Sequence, residues 1–263
     1  MRYSDPEGYE QFMGRWSTRL APLFLHFAGI EDGERILDVG CGTGVLTRAA
    51  LAAGHSIRAM GVDPVESFIS FARRTSDPRA EFQIGSVEAL PFPDGTFDAS
   101  LGLLLLQEFD DPNRSISEMA RVTRPFGKVA ACKWDFRDGM PMMTIFWQLA
   151  SELAPDEVAR YQTHVRPLRN ADLTELAQRW ATAGLSDVKA KSLEFAMPFH
   201  SFEEFWSPFM AGATPLSAFA ADLNRTSQGE LERLYRKRLQ DVRPDGSFEL
   251  AARALAVCGV VGQ

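Results

Sequence analysis

The residues best placed to do chemistry are three alternating glycines in Ile36-Leu37-Asp38-Val39-Gly40-Cys41-Gly42-Thr43-Gly44. The apolar run before them reads as a strand over 35–39. Val45–Ala53 reads as a helix, so the glycines make the turn between the two. Glycine lets the backbone turn tightly and lets a ligand approach without a Cβ in the way. The helix start behind the turn offers unpaired N–H groups to a negative or polar group. A carboxylate follows. Asp63 ends the next apolar run, Met60-Gly61-Val62-Asp63-Pro64, 23 residues after Gly40. In sheets of alternating strands and helices, a carboxylate at that place meets ribose hydroxyls. The same residue, set before a proline, also suits a plain strand-end turn.

The glycine loop alone leaves its ligand open, because nucleotides and S-adenosylmethionine are both held this way. Two absences narrow the choice. A dinucleotide fingerprint counted from Gly40 needs glycine at 45, where Val45 stands. No Gly-Lys-Ser/Thr follows, so a phosphate-binding P-loop is excluded.

Acid–base candidates are few. The histidines are His26, His55, His164 and His200. His26 falls on an N-terminal helix and His55 on a surface turn, where both read as incidental. His164 and His200 fall in segments that could cover a pocket. Glu108 lies just beyond the fourth strand, where helix-start carboxylates often serve as caps. Asp135 lies just beyond the fifth. Cys41, Cys132 and Cys258 are widely spaced and show no metal-ligand pattern, so no metal site is expected.

The elements that position these residues alternate. Strands are expected at 35–39, 58–62, 81–84, 97–105 and 128–134. Helices are expected at 45–53, 65–74 and from Asp111-Pro112 to about 124. The N-terminal stretch 9–29 is amphipathic, with Phe12, Trp16, Leu20, Leu23 and Phe27 at helical steps, and Pro22 is expected to divide it. After Trp134 the rhythm breaks into helices at 140–153, 170–183 and 230–240, with late strands at 187–195 and 248–261. The pattern predicts an α/β Rossmann-like fold with a seven-stranded, mostly parallel sheet and helices on both faces. Residues 1–263 are expected to form a single domain. Its cofactor-binding core is 30–135, and segments 1–29, 137–183 and 198–240 cover it.

The chain has 263 residues, 45 % of them hydrophobic, enough for a full core. Its formal net charge of −7 disfavours nucleic acid as a partner. The densest basic run, Arg233–Arg238, reads as a solvated helix face. No window suits a membrane span and no signal peptide is seen, so a cytoplasmic location is expected. The oligomeric state is not legible.

Four spaced motifs carry a family resemblance: ILDVGCGTG at 36–44, GVDP at 61–64, GSVEALPFPDGTFD at 85–98, and LLLLQEFDDPNRSISEMARVTRPFG at 103–127. They resemble the class I S-adenosylmethionine-dependent methyltransferases, within them the group related to ubiquinone/menaquinone biosynthesis (type 11). The resemblance is strong over 34–134 and looser over 9–30. It implies that Gly40, Cys41 and Gly42 carry the methionine part of S-adenosylmethionine. Asp38 orients the loop and the cofactor's amino group. Asp63 grips the ribose, and Pro64 packs near the adenine. Ser86 stands where relatives usually have aspartate, and accepts from the adenine amino group, while Val87 offers its backbone N–H. Leu103 and Gln107 lie beside the sulfonium, where relatives often carry histidine. Arg15 and Trp16 fold over the cofactor. The product is S-adenosylhomocysteine.

The implied reaction is an in-line methyl transfer to a small acceptor. The catalytic candidates are Glu108, His200 and Asp135. Aromatic residues crowd the later segments, among them Trp134, Phe146, Trp147, Phe199, Phe205 and Phe209. They read as core and, for some members, as an apolar acceptor pocket. The alternative reading is a non-catalytic module that binds the cofactor or its product. A nicotinamide-dependent oxidoreductase is disfavoured by Val45.

Overall fold

The computed structural model describes residues 5–74, 77–161, 167–212, 214–239 and 242–263. His164 lies outside them. Seven strands form one sheet: β1 (Arg35–Val39), β2 (Arg58–Asp63), β3 (Ala80–Ile84), β4 (Phe97–Gly102), β5 (Thr123–Trp134), β6 (Ser186–Phe199) and β7 (Phe248–Val260). Their order is β3-β2-β1-β4-β5-β7-β6. β1 to β5 are parallel, and β7 runs antiparallel to both its neighbours.

The central strands are apolar on both sides because both faces are covered. On β1, Ile36 joins the core beneath α2 (Arg15–Ala28) and α3 (Val45–Ala53). Its neighbours Leu37 and Val39 point the other way, to α5 (Pro112–Val122) and α8 (Leu173–Thr182). Trp180 of α8 ties that face down by donating its indole N–H to the Val129 carbonyl at 2.9 Å. Asp111 caps α5 by accepting from the Arg114 N–H, and Pro112 opens the helix. A short helix, α4 (Glu66–Ala72), follows β2.

Three boundaries differ from the sequence reading. α2 runs straight through Pro22, which is exposed, as is Thr18, the residue whose carbonyl loses its helical partner. The break lies earlier, where α1 (Pro6–Tyr9) passes into a π-helical turn at Glu10–Gly14. At Gly14 a Cβ would meet the Glu10 carboxylate carbon at 2.6 Å, so the glycine leaves room for that side chain as it is placed. β4 stops at Gly102 rather than 105, because Leu104 turns the chain with φ of 57°. β5 starts at Thr123 rather than 128 and β6 runs to Phe199 rather than 195, while β7 keeps its expected span to within a residue. β5 pairs with β7 only from Lys128 to Trp134, while the β6–β7 hairpin continues to Phe199↔Phe248.

That overhanging hairpin carries the later helices: α6 (Pro141–Leu153), α7 (Pro155–Tyr161), α9 (Phe202–Trp206), α10 (Pro215–Asp222) and α11 (Arg225–Arg238). Their aromatic residues make one packed shell. Phe146 stacks on Phe209 at 5.4 Å, and Phe205 meets Tyr235 at 5.0 Å. The Tyr235 hydroxyl donates to the Met142 carbonyl at 2.9 Å. The aromatic crowding is therefore core, as the first of its two readings held.

Candidate functional site

The carboxyl ends of β1 to β4 open into a cleft of about 260 Å³. The glycine loop forms one wall. Gly40, Gly42 and Gly44 all have positive φ, at 65°, 52° and 85°, a region closed to most other residues. At Gly40 a Cβ would also strike Leu105 at 2.5 Å. At Gly42 it would meet nothing, because that position faces open space. The loop is tied to β2 by the Gly40 and Cys41 N–H groups, both donating to the Val62 carbonyl.

Asp63 sits opposite. Its Oδ2 accepts the Gly42 N–H at 3.0 Å, and its Oδ1 accepts the Val65 N–H at 2.9 Å. It is 8 % exposed, and burial raises its pKa against the pull of those two bonds. Asp63 lines the cleft, and each oxygen retains acceptor capacity beyond these two bonds. Asp38 lies beneath the loop, 1 % exposed. Its Oδ2 accepts both the N–H and the hydroxyl of Thr47, at 3.0 and 2.7 Å. Its Oδ1 has no protein partner. Burial, with the nearby Asp63 charge adding to it against the Thr47 bonds, pushes the Asp38 pKa up to about 7.

Pro64, Ser86 and Val87 line the cleft further along, with Phe68. The Ser86 hydroxyl accepts the Glu88 N–H at 3.3 Å. Leu103, Gln107 and Glu108 line the other end. Gln107 is oriented: its Oε1 accepts the Trp134 backbone N–H at 3.2 Å, so its amide donors are free to turn elsewhere.

Five expected site residues lie elsewhere or contribute less directly. The Cys41 side chain packs with Ile69 and Phe82, so only its backbone serves the loop. Arg15 and Trp16 do not line the cleft. Arg15 binds Glu204 at 2.6 Å, and Trp16 is buried in the aromatic shell against Phe199. His200 is exposed outside the cleft, with its backbone N–H on Glu204 at 2.7 Å. Asp135 is clamped by Arg253 at 2.6 Å. Burial would raise its pKa, but bonds from Arg253 and the Arg137 N–H hold it below the usual carboxylate range. Both catalytic suggestions therefore fail on placement. The later helices also do not roof the cleft. No described residue of 137–183 or 198–240 lines it.

Tyr9 was not singled out by sequence reasoning. It lines the cleft and meets Phe68 edge-to-face at 5.6 Å. Burial pushes its pKa up to about 12, opposed by a hydrogen bond with Ser17 and aided by the charges of Glu10, Glu108 and Asp63. The available signal was its place one turn before Phe12 and Met13 on the same apolar stripe. Two more contacts fasten this segment over the cleft: Glu7 to Arg74 at 3.0 Å, and Thr43 donating to Glu10.

Residues 37–131 match the family model described as a methyltransferase domain. A demethylmenaquinone methyltransferase of Renibacterium salmoninarum is 28 % identical over 185 residues, 67 % of this chain and 77 % of the relative. Residues 37–131 thus match a methyltransferase domain, and these likenesses support a class I S-adenosylmethionine-dependent methyltransferase similar to those of the ubiquinone/menaquinone type. A malonyl-[acyl-carrier protein] O-methyltransferase of Erwinia billingiae is 30 % identical, over 62 % of this chain and 63 % of its own length. Among solved structures, a Haemonchus contortus phosphoethanolamine N-methyltransferase bound to S-adenosylhomocysteine shares the fold. Its TM-score is 0.60 at 18 % identity, covering 98 % of this chain and 57 % of that one. As a methyltransferase of this class, the chain uses S-adenosylmethionine and yields S-adenosylhomocysteine. No helix among the described residues is long and apolar enough to cross a membrane.

Proposed function

We propose that the chain, acting as one domain, methylates a small, largely apolar acceptor in the cleft. The observation that carries this is the unpartnered Asp38 Oδ1 beneath a glycine loop that itself faces Asp63. An ammonium placed there would satisfy Asp38, and a ribose diol would satisfy the free lone pairs of Asp63. Gly42 leaves room for the chain between them. Ser86 and Val87 would meet the adenine, and Gln107 would face the sulfonium end.

When bound, S-adenosylmethionine supplies an already activated methyl group on a good leaving thioether. The protein's task is then alignment, worth up to about 7–11 kcal/mol in ideal cases. Tyr9, protonated at neutral pH, can donate a hydrogen bond but not act as a base. Glu108, which lines the cleft next to Gln107 as Asp110 also does, would take a proton where the acceptor must lose one.

A small acceptor is favoured over nucleic acid because three of the four cations in the basic run, Arg233, Arg236 and Arg238, already have acidic partners. Arg233 pairs with Glu230, Arg236 with Glu203 and Glu232, and Arg238 with Glu152. The three cysteines are free and buried, which suits the reducing cytoplasm. The test is release of S-adenosylhomocysteine from S-adenosylmethionine across a panel of small phenols, quinols, amines and acids. Turnover with an apolar member supports the reading. Turnover confined to nucleic acid contradicts it.

A further inference from the structure

A second cavity, of about 250 Å³, lies at the amino ends of β1, β2 and β3, on the opposite edge of the sheet from the cleft. Three arginines line it. Arg35 and Arg58 open β1 and β2 and stand opposite each other in register. Ala59 pairs with Ala80 in the same way, and its N–H donates to the Arg79 carbonyl at 2.9 Å, which brings Arg79 alongside Arg58. Like charges set side by side on neighbouring strands repel.

Arg79 is compensated within the chain. Asp77 accepts from it at 2.7 and 3.0 Å, and the carbonyls of Leu51, Gly54 and His55 take its other donors. Arg35 and Arg58 are not compensated. Among the described residues, neither guanidinium has a hydrogen bond or an ion pair. Asp98 accepts the Arg35 backbone N–H but spends its charge on Arg124. Glu81 shares the cavity and pairs with neither. Acids outnumber Lys and Arg in this chain, 35 to 28, so the bare pair is not for want of carboxylates.

No helix fills the cavity. Arg35 and Arg58 share the face of Leu37 and Met60. On that face α5 and α8 pack against β4 to β7, and the connection from β3 to β4 makes turns rather than a helix. The Arg35 guanidinium rests over the Phe97 ring at 5.1 Å, which holds its donors in place. Met60 and Pro78 add an apolar wall.

We propose that Arg35 and Arg58 bind one phosphate group, free or as the ester of a small organic molecule. Two guanidinium forks match the oxygens of a phosphate. Glu81 opposes further negative charge, so the site suits a single phosphate rather than a polyphosphate. It is separate from the cleft and does not rest on the reading of the cleft as the cofactor site.

The test is calorimetric titration with phenyl phosphate and with inorganic phosphate at low salt. Phenyl phosphate should bind saturably, and saturating S-adenosylhomocysteine should not displace it. Arg35→Gln and Arg58→Gln should each weaken it about tenfold. Glu81→Gln should tighten it about threefold. Arg225→Gln, at the start of α11, should change nothing, which separates the cavity from the general pull of any cation. All four positions are exposed, so the variants should fold. Tighter binding of phenyl phosphate than of inorganic phosphate assigns the site to an ester lying on Met60 and Pro78, and equal binding assigns it to free phosphate. The absence of saturable binding by either ligand overturns the proposal. So does displacement by S-adenosylhomocysteine, an affinity that Arg58→Gln leaves unchanged or Glu81→Gln lowers, or a loss with Arg225→Gln as large as with Arg58→Gln.

Discussion

Thr47 spends both its backbone N–H and its hydroxyl on one oxygen of Asp38, at 3.0 and 2.7 Å, and the other oxygen of this buried carboxylate is left without a protein partner. The strand end and the helix that follows the glycine loop are thereby locked together. The remaining oxygen is available to a cation.

This gives a pH signature. The Asp38 pKa is about 7 in the folded chain against 3.8 ordinarily. Between those values the native state holds a proton that the unfolded chain has lost. Stability of the cofactor-free protein should therefore fall as pH rises from about 4 to about 7. Binding of an ammonium favours the ionised form, so S-adenosylhomocysteine affinity should rise by up to about tenfold per pH unit toward 7 and then level off. Asp38→Asn should flatten both curves. Calorimetry and thermal melts at pH 5, 6, 7 and 8 check this, and equal slopes in mutant and parent would refute it.

Gly42→Val should abolish binding. The φ of 52° is strained for a β-branched residue, and the branched side chain would occupy the open space beside Asp63. Since nothing in the protein stands within 4 Å of that Cβ, the fold should survive with a loss of roughly 1–2 kcal/mol. A folded variant that binds S-adenosylhomocysteine normally would show that the loop is only structural.

Most of the sheet was legible because its signals are local. Ile36, Leu37 and Val39 put apolar side chains on both faces of β1, Phe97, Ala99 and Leu101 alternate along β4, and glycines or Asp-Pro pairs punctuate the runs. The glycine loop and Asp63 could be read for the same reason, since their spacing along the chain is their geometry. Asp135 and His200 misled because their partners are distant: Arg253 lies 118 residues from Asp135. Arg15 and Trp16 misled for a related reason. Amphipathic periodicity shows that a face is buried but not what it is buried against. Tyr9 was overlooked because its place on the stripe of Phe12 and Met13 marks a buried face without showing that its first turn meets the cleft.

Ser86 tests the adenine end in both directions. Ser86→Ala should weaken S-adenosylhomocysteine binding by about 0.5–1.5 kcal/mol. Ser86→Asp adds a charged acceptor on an exposed position beside the cleft and should keep or raise affinity. Loss of binding by a folded Ser86→Asp variant would place the adenine elsewhere.

Hydrogen exchange should separate the strap from the shell. Tyr9, Glu7 and Glu10 reach Phe68, Arg74 and Thr43 around the cleft. S-adenosylhomocysteine should therefore slow exchange in residues 5–20 and around 36–64. It should leave 141–160 and 202–238 unchanged, because no described residue there lines the cleft. Protection of the later helices by S-adenosylhomocysteine alone would contradict the placement of the cofactor.

The central claim is that Asp63 holds a ribose in this cleft. Calorimetric titration of S-adenosylhomocysteine into the parent and into Asp63→Ala tests it most directly, with circular dichroism confirming that the variant is folded. Two charge-assisted hydrogen bonds, each worth about 1.5–3 kcal/mol, should be lost. The parent should bind, the variant should bind at least about tenfold more weakly, and NADH should bind neither. Equal affinity in parent and folded variant would contradict the account.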